Sequence, residues 1–254
     1  MPSHDSQSKQ QPDRSSKVTD LVSRALDTIR ERRTPGNTDD AWIARLRDAV
    51  VSPDAHDRDE VIQRMRDAGI GIEQICDVYI PAVARELGEE WCADEISFAD
   101  VTIGSARLQA LLRDTEYCAE TPDDGVGWGA MILVLADPHH TLGAMVLTGQ
   151  LRRVGASVRL MLGRPEEEVL RIAREVSFDG IFISVALADD FSNVAETVSA
   201  LRRATGGAVP LIVGGSVVEI GRDMALRLTG ADLATSDPRE ALGYCGYDDR
   251  ADQT

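Results

Sequence analysis

With 254 residues the chain can hold one large domain or two small ones, and 43% hydrophobic residues supply a real core although aromatics make up only 4%. Its formal charge of −16 argues against binding nucleic acid or an anionic membrane through its own surface, so a regulatory role would have to run through a partner. Cys76, Cys92, Cys118 and Cys245 are scattered without a CxxC pair and read as reduced thiols of a cytoplasmic protein, none of them catalytic. The N-terminus is polar, and no apolar run approaches the roughly 18 residues that a membrane span needs, so a soluble, intracellular chain is expected.

Residues 1–16 are rich in Ser, Gln, Lys and Asp without periodicity and read as a disordered tail. A helical bundle is expected over residues 17–120. Its first helix, 18–33, repeats apolar residues at helical spacing (Leu21, Val22, Ala25, Leu26, Ile29), and Pro35-Gly36-Asn37 then breaks the chain. Asp39 and Asp40 are candidate caps for the next helix, with Trp42, Ile43, Leu46 and Val50 on its apolar face. A third helix follows Ser52-Pro53 and ends near Gly69; a fourth covers 72–87; a fifth follows Ser97-Phe98-Ala99-Asp100 and runs to about Arg113. The acidic, turn-forming stretch 121–127 reads as a linker.

Beyond it short apolar runs alternate with amphipathic helices: strands at 130–136, 157–162, 180–186, 211–213 and 231–235, and helices at 143–153, 166–176, 194–203, 219–228 and 238–242. Strands buried on both faces need such continuous Ile/Val/Leu runs, so residues 128–246 are expected to form a flavodoxin/Rossmann-like, doubly wound α/β domain with a five-stranded parallel sheet, leaving 247–254 as a flexible end. Ligands of such sheets bind beyond the carboxyl ends of the strands. Three loops lie there: Asp137-Pro138-His139-His140-Thr141-Leu142-Gly143, Ser184-Val185-Ala186-Leu187 and Gly214-Gly215-Ser216. Neutral imidazole is the commonest transition-metal side-chain ligand, and the glycines would let backbone pass close to a bulky group. Each loop alone is a weak signal.

Together, His140-x-x-Gly143, Ser184-x-Ala186 and Gly214-Gly215 resemble the cobalamin-binding signature, whose usual form is Asp-x-His-x-x-Gly, Ser-x-Leu and Gly-Gly. The resemblance implies His140 as the lower axial ligand of cobalt and Gly143, with Thr141 and Leu142, as the chain under the corrin. Ser184 would hydrogen-bond the buried base of the nucleotide tail. Val185, Ala186, Gly214 and Gly215 would line the slot that takes this tail. Two positions depart from the pattern: Pro138 stands where the family has aspartate, and Leu187 falls one place after the expected leucine. A carboxylate there would fix the tautomer and raise the basicity of the histidine. Asp137 is one residue away, and the alternative register, Asp137-x-His139, keeps the carboxylate but places Gly143 one position late.

Leu87-Gly88-Glu89-Glu90-Trp91 resembles the helical cap beside this domain in methionine synthase, corrinoid methyl-carriers and light-responsive cobalamin regulators, where a tryptophan packs on the upper face of the corrin. Trp91 is either that residue or an ordinary core aromatic. Where the light-sensing repressors carry Glu-His, this chain has Val101-Thr102, so a second histidine supplied in their way is not expected.

Over roughly residues 70–240, and above all in 94–113 and 140–153, the chain is similar to the PpaA/AerR antirepressors of photosynthetic proteobacteria. That similarity implies a regulator that binds cobalamin, in its hydroxo or adenosyl form, and acts on a DNA-binding repressor of the CrtJ/PpsR type, with light as a possible signal. Haem is the alternative macrocycle for the same site. A corrinoid methyl-carrier and a scaffold without cofactor are the remaining readings. No nucleophile elbow, P-loop or paired-carboxylate motif suggests independent catalysis, and Glu166-Glu167-Glu168 reads as the acidic first turn of a helix after Pro165.

Overall fold

The computed structural model describes residues 37–114, 127–135 and 141–247. The expected tail, the helix at 18–33, Cys118, most of the linker, and the loop that carries Asp137, Pro138, His139 and His140 lie outside the described residues. Contacts group residues 43–254 into one compact unit; of the preceding unit, 1–42, only the opening of the first described helix belongs to the described part.

That helix, α1 (Asn37–Val51), carries Asp39 and Asp40 in its first turn, where their charge favours the helix N-terminus. They sit inside the helix rather than capping it. In α2 (Ala55–Asp67) the cap is Asp54, whose carboxylate accepts the His56 amide at 2.8 Å. The expected helix at 72–87 proves longer and irregular. It opens as α3 (Ile72–Gln74), widens into a π turn over Ile75–Tyr79, and continues as α4 (Ile80–Cys92), with helical backbone at both junctions. Pro81 accounts for the widening, because its ring would clash with the carbonyl of residue 77 in a regular α-turn. After α5 (Phe98–Asp114) the bundle core holds Leu46, Met65, Tyr79, Val83, Leu87, Leu108 and Leu112, all essentially inaccessible. Arg47 on α1 donates through Nε to the Glu90 carboxylate on α4 at 2.8 Å.

The second half is the expected parallel sheet. Strands β1 (Gly129–Val134), β2 (Ser157–Leu162), β3 (Gly180–Ser184), β4 (Leu211–Gly214) and β5 (Leu233–Ala234) lie in the order 2-1-3-4-5, every pair parallel. Helices α6 (Leu142–Arg153) and α10 (Pro238–Tyr244) cover one face, over a core of Ile132, Val134, Leu151, Phe182 and Ile212. Helices α7 (Glu166–Glu175), α8 (Phe191–Ala204) and α9 (Arg222–Thr229) cover the other, over Met131, Leu133, Ile181, Ile183 and Val213. The central strands are buried on both faces, as their unbroken apolar runs require, whereas the edge strand β2 is only partly buried and leaves Arg159 and Leu162 exposed.

Three boundaries differ from expectation for identifiable reasons. Asp190 accepts the Ser192 amide at 2.9 Å and so starts α8 at Phe191 rather than 194. The helix expected at 219–228 is split by Gly221 into a 3-10 turn, Ser216–Ile220, and α9. The last strand shrinks to two residues at the sheet edge.

Cys76 is buried and Cys92 exposed, while burial, and next the charge of Asp179, push the Cys245 thiol up to about 11. A thiol reagent applied at about pH 8 should therefore modify Cys92 promptly and spare Cys245 until denaturant is added. Equal rates at the two sites, followed by mass spectrometry of peptides, would contradict this.

Candidate functional site

The sheet order reverses between β1 and β3, since β1 connects to β2 on one side and pairs with β3 on the other. Ligands of doubly wound sheets bind at that reversal, beyond the carboxyl ends. The register there is specific: Val134 pairs with Ser184, and Ser184 with Gly214. The three loops singled out in the sequence thus leave the sheet side by side, one strand spacing, about 4.8 Å, apart.

The first loop is described up to Leu135 and again from Thr141. Thr141 is buried and is the N-cap residue of α6; its carbonyl accepts the Met145 amide at 3.0 Å. Leu142 is half-buried and Gly143 exposed, and a Cβ built on Gly143 would meet nothing within 4 Å.

The second and third loops interlock. The Val185 amide donates to the Gly214 carbonyl at 2.9 Å, and the Val217 amide to the Val185 carbonyl at 3.2 Å. Gly215 has φ 90° and ψ −166°, a conformation essentially reserved for glycine, and a Cβ on it would lie 2.6 Å from the Val185 carbonyl oxygen. A Cβ on Gly214 would lie 3.1 Å from the Thr235 carbonyl oxygen. The protein's own loop packing therefore requires glycine at 215 and closely confines position 214. Ser184 is half-buried at the end of β3, and its hydroxyl makes no hydrogen bond among the described residues. Ala186 is buried, whereas Leu187, the displaced leucine of the motif, is 44% exposed.

Several supporting contacts were not foreseen from the sequence. The Asp189 carboxylate accepts the Ala186 amide at 2.7 Å, and Ser216 Oγ accepts the Leu187 amide at 3.0 Å, fixing the loop after β3. The Thr235 hydroxyl donates to Glu240 at 2.5 Å, and Arg222 grips the same carboxylate through two bonds of 2.6 and 2.8 Å. The Thr235 hydroxyl, then Arg222, holds the Glu240 carboxyl below its ordinary range. Asp189 next to a capping Asp190, and Ser216 after Gly-Gly, were legible as turn residues; the pairing of Ser216 with Leu187 across the two loops was not.

Trp91, near the C-terminus of α4, is 46% exposed and stacks at a tilt on exposed Phe98, ring centroids 6.1 Å apart. It is not a core aromatic. Separately, a hollow of about 190 Å³ lies on the α7/α8 face, lined by Leu133, Leu135, Arg164, Glu166, Val169, Asn193 and Thr197; it shares no residue with the Ser184/Gly214 loops. Among the described residues no cluster of His, Cys, Asp and Glu could hold a bare metal ion, and no helix is long and apolar enough to cross a membrane.

These features fit a bulky cofactor that brings its own metal. Among the described residues nothing fills the space over Gly143 and nothing bonds the Ser184 hydroxyl at the switch point, and two joined loops flank it. Residues 129–243 match the model of the B12 binding domain, and residues 42–113 match a second B12 binding domain model. Fold and loops together define a protein with a cobalamin-binding domain and a helical cap. A relative described as an uncharacterized 20.5 kDa protein in the bchF-crtJ intergenic region of Rhodobacter capsulatus is 35% identical over 181 residues, 70% of this chain and 94% of the relative. The chain belongs to the PpaA/AerR-type family of B12-binding-domain proteins. Its fold is similar to that of the Methanosarcina barkeri monomethylamine corrinoid protein, with a TM-score of 0.64 and 16% identity, covering 81% of this chain and 97% of that one.

Proposed function

We propose that the protein is a cobalamin-dependent regulator, without catalytic activity of its own, that relieves repression by binding a DNA-binding repressor of the CrtJ/PpsR type. The observation that carries the cofactor is the row Val134–Ser184–Gly214, which sets the three signature loops next to one another at the switch point. In this reading His140 would ligate the cobalt, Thr141, Leu142 and Gly143 would carry the chain past the corrin, and Ser184, Val185, Ala186, Gly214 and Gly215 would line the tail slot. Trp91, presented with Phe98 on the surface of the cap, would pack on the corrin. Bound cobalamin would supply a cobalt centre whose upper ligand can be exchanged or, in the adenosyl form, released by light. A ligand shared by cap and sheet shifts their arrangement only if it binds one arrangement better.

Two features favour a regulator over a methyl-carrier. Pro138 replaces the carboxylate that would tune the histidine through a cycle of cobalt ligation. The charge of −16 suits an encounter with a basic DNA-binding protein and disfavours DNA itself. The relative's place in a bchF-crtJ intergenic region supports a link to that repressor. In a gel-shift assay, the cobalamin-loaded protein should release a CrtJ/PpsR-type repressor from its operator without binding the operator itself. Unchanged repressor–operator binding at saturating protein would overturn the regulatory reading.

Gly143 separates cofactor binding from folding. Alanine fits its open space and removes the helix cost of glycine, so Gly143→Ala should leave the stability of the cofactor-free protein unchanged or raise it by up to about 1 kcal/mol. Hydroxocobalamin affinity should fall in the same variant. Undiminished affinity, measured by equilibrium dialysis, would show that the corrin does not approach this position.

A further inference from the structure

Helix α6 is buried on two sides. Ala144 and Leu151 belong to the core beneath the sheet, while Met145, Val146 and Thr148 are equally buried outside it, on a helix that also contacts α5 and the π turn. The helix is thus clamped between sheet and cap. Its last turn ends in two arginines with different partners. Arg152 Nη2 donates to the Val158 carbonyl on β2 at 3.0 Å, whereas Arg153 Nη2 donates to the Asp77 carboxylate within the π turn, a pair whose side chains are 27% and 19% exposed. Basic residues in a last turn usually need no explanation beyond the helix dipole. Here one of them reaches 76 positions back to the other half of the molecule.

Two rods meet at this pair. One is α6, which begins directly after the His140 loop and runs about 18 Å to Arg153. The other is the continuous helix 72–92, which holds Asp77 at its widened turn and Trp91 about 20 Å further on. π turns are rare and concentrate where a helix serves a function. We propose that Asp77 and Arg153 are positioning residues: their ion pair latches the helical cap to α6 and so sets how readily small ligands reach the upper face of the bound corrin. The second clause rests on the cobalamin reading; the latch itself does not.

The test uses the full chain with Asp77→Arg, Arg153→Asp and the double charge swap. Without cofactor, hydrogen exchange should accelerate about tenfold or more in either single variant at residues 72–92 and at the amides of Met145, Val146 and Thr148. The β1 and β3 amides should keep their protection, and the swap should restore the cap. Simple loss of stability would instead raise exchange in the strands as well. With hydroxocobalamin loaded, capture of cyanide from solution should be about tenfold faster in each single variant and return toward the parent rate in the swap. Parent-like cap exchange in the single variants overturns the latch. Cap opening with an unchanged cyanide rate overturns its control of the cofactor. Failure of the parent protein to retain hydroxocobalamin counts against the cobalamin reading, and the exchange data then still decide the latch.

Discussion

Replacing His140 with alanine is expected to abolish cobalt ligation by the protein and to lower cobalamin affinity by about 100-fold or more, with far-UV circular dichroism unchanged. Partners that merely orient a ligating histidine are worth about 10–100-fold in metal affinity, so removing the ligand itself should cost at least the upper end of that range. The fold should survive because α6 starts after this residue, from Thr141, whose contribution to the helix is its backbone carbonyl. The two adjacent histidines make a control available. His139→Ala should keep the histidine-ligated corrin spectrum, and the opposite pattern would place the ligand in the alternative register, with Asp137 as its partner.

The second large effect falls on stability. Gly215→Ala combines a backbone conformation essentially closed to other residues with a Cβ 2.6 Å from the Val185 carbonyl oxygen, a backbone atom that already accepts the Val217 amide at 3.2 Å. Strain of about 1–3 kcal/mol is expected from the conformation alone, and the overlap adds to it. A total near 3 kcal/mol corresponds to a fall of roughly 6–12 °C in Tm for a chain of this size. Because relief requires the loops after β3 and β4 to separate, the variant should also lose cobalamin binding. Differential scanning calorimetry decides the matter: a Tm within about 1 °C of the parent would show that the two loops do not interlock as described.

Comparison of these two positions shows what the sequence makes legible. The doubly wound sheet could be read from 130–136, 180–186 and 211–213 because strands buried on both faces carry unbroken apolar runs, and the same loops that end them carry the signature residues. The need for glycine at 214–215 was legible; its cause was only half so. The sequence suggests room for a ligand, whereas the register of β3 and β4 adds the Val185 carbonyl as the nearer constraint. Side-chain pairings between distant segments were not legible at all. Asp77 and Arg153 look like ordinary surface charges until the fold brings the bundle onto α6, and the π turn hides in a helical pattern that Pro81 alone disturbs. Trp91 could not be assigned from its spacing because core and surface aromatics share helical periodicity; its exposure beside Phe98 separates the two. Gly221 likewise ended a helix inside a run whose apolar spacing continues through it.

The measurement that bears most directly on the central claim is an absorption spectrum of the purified protein after incubation with hydroxocobalamin and removal of free ligand, with haemin carried in parallel. A retained corrin spectrum, stoichiometric with the chain and lost in His140→Ala, is the predicted result. Retention of haem alone would contradict it and turn the same site into a haem sensor's, and retention of neither would leave a cofactor-free scaffold.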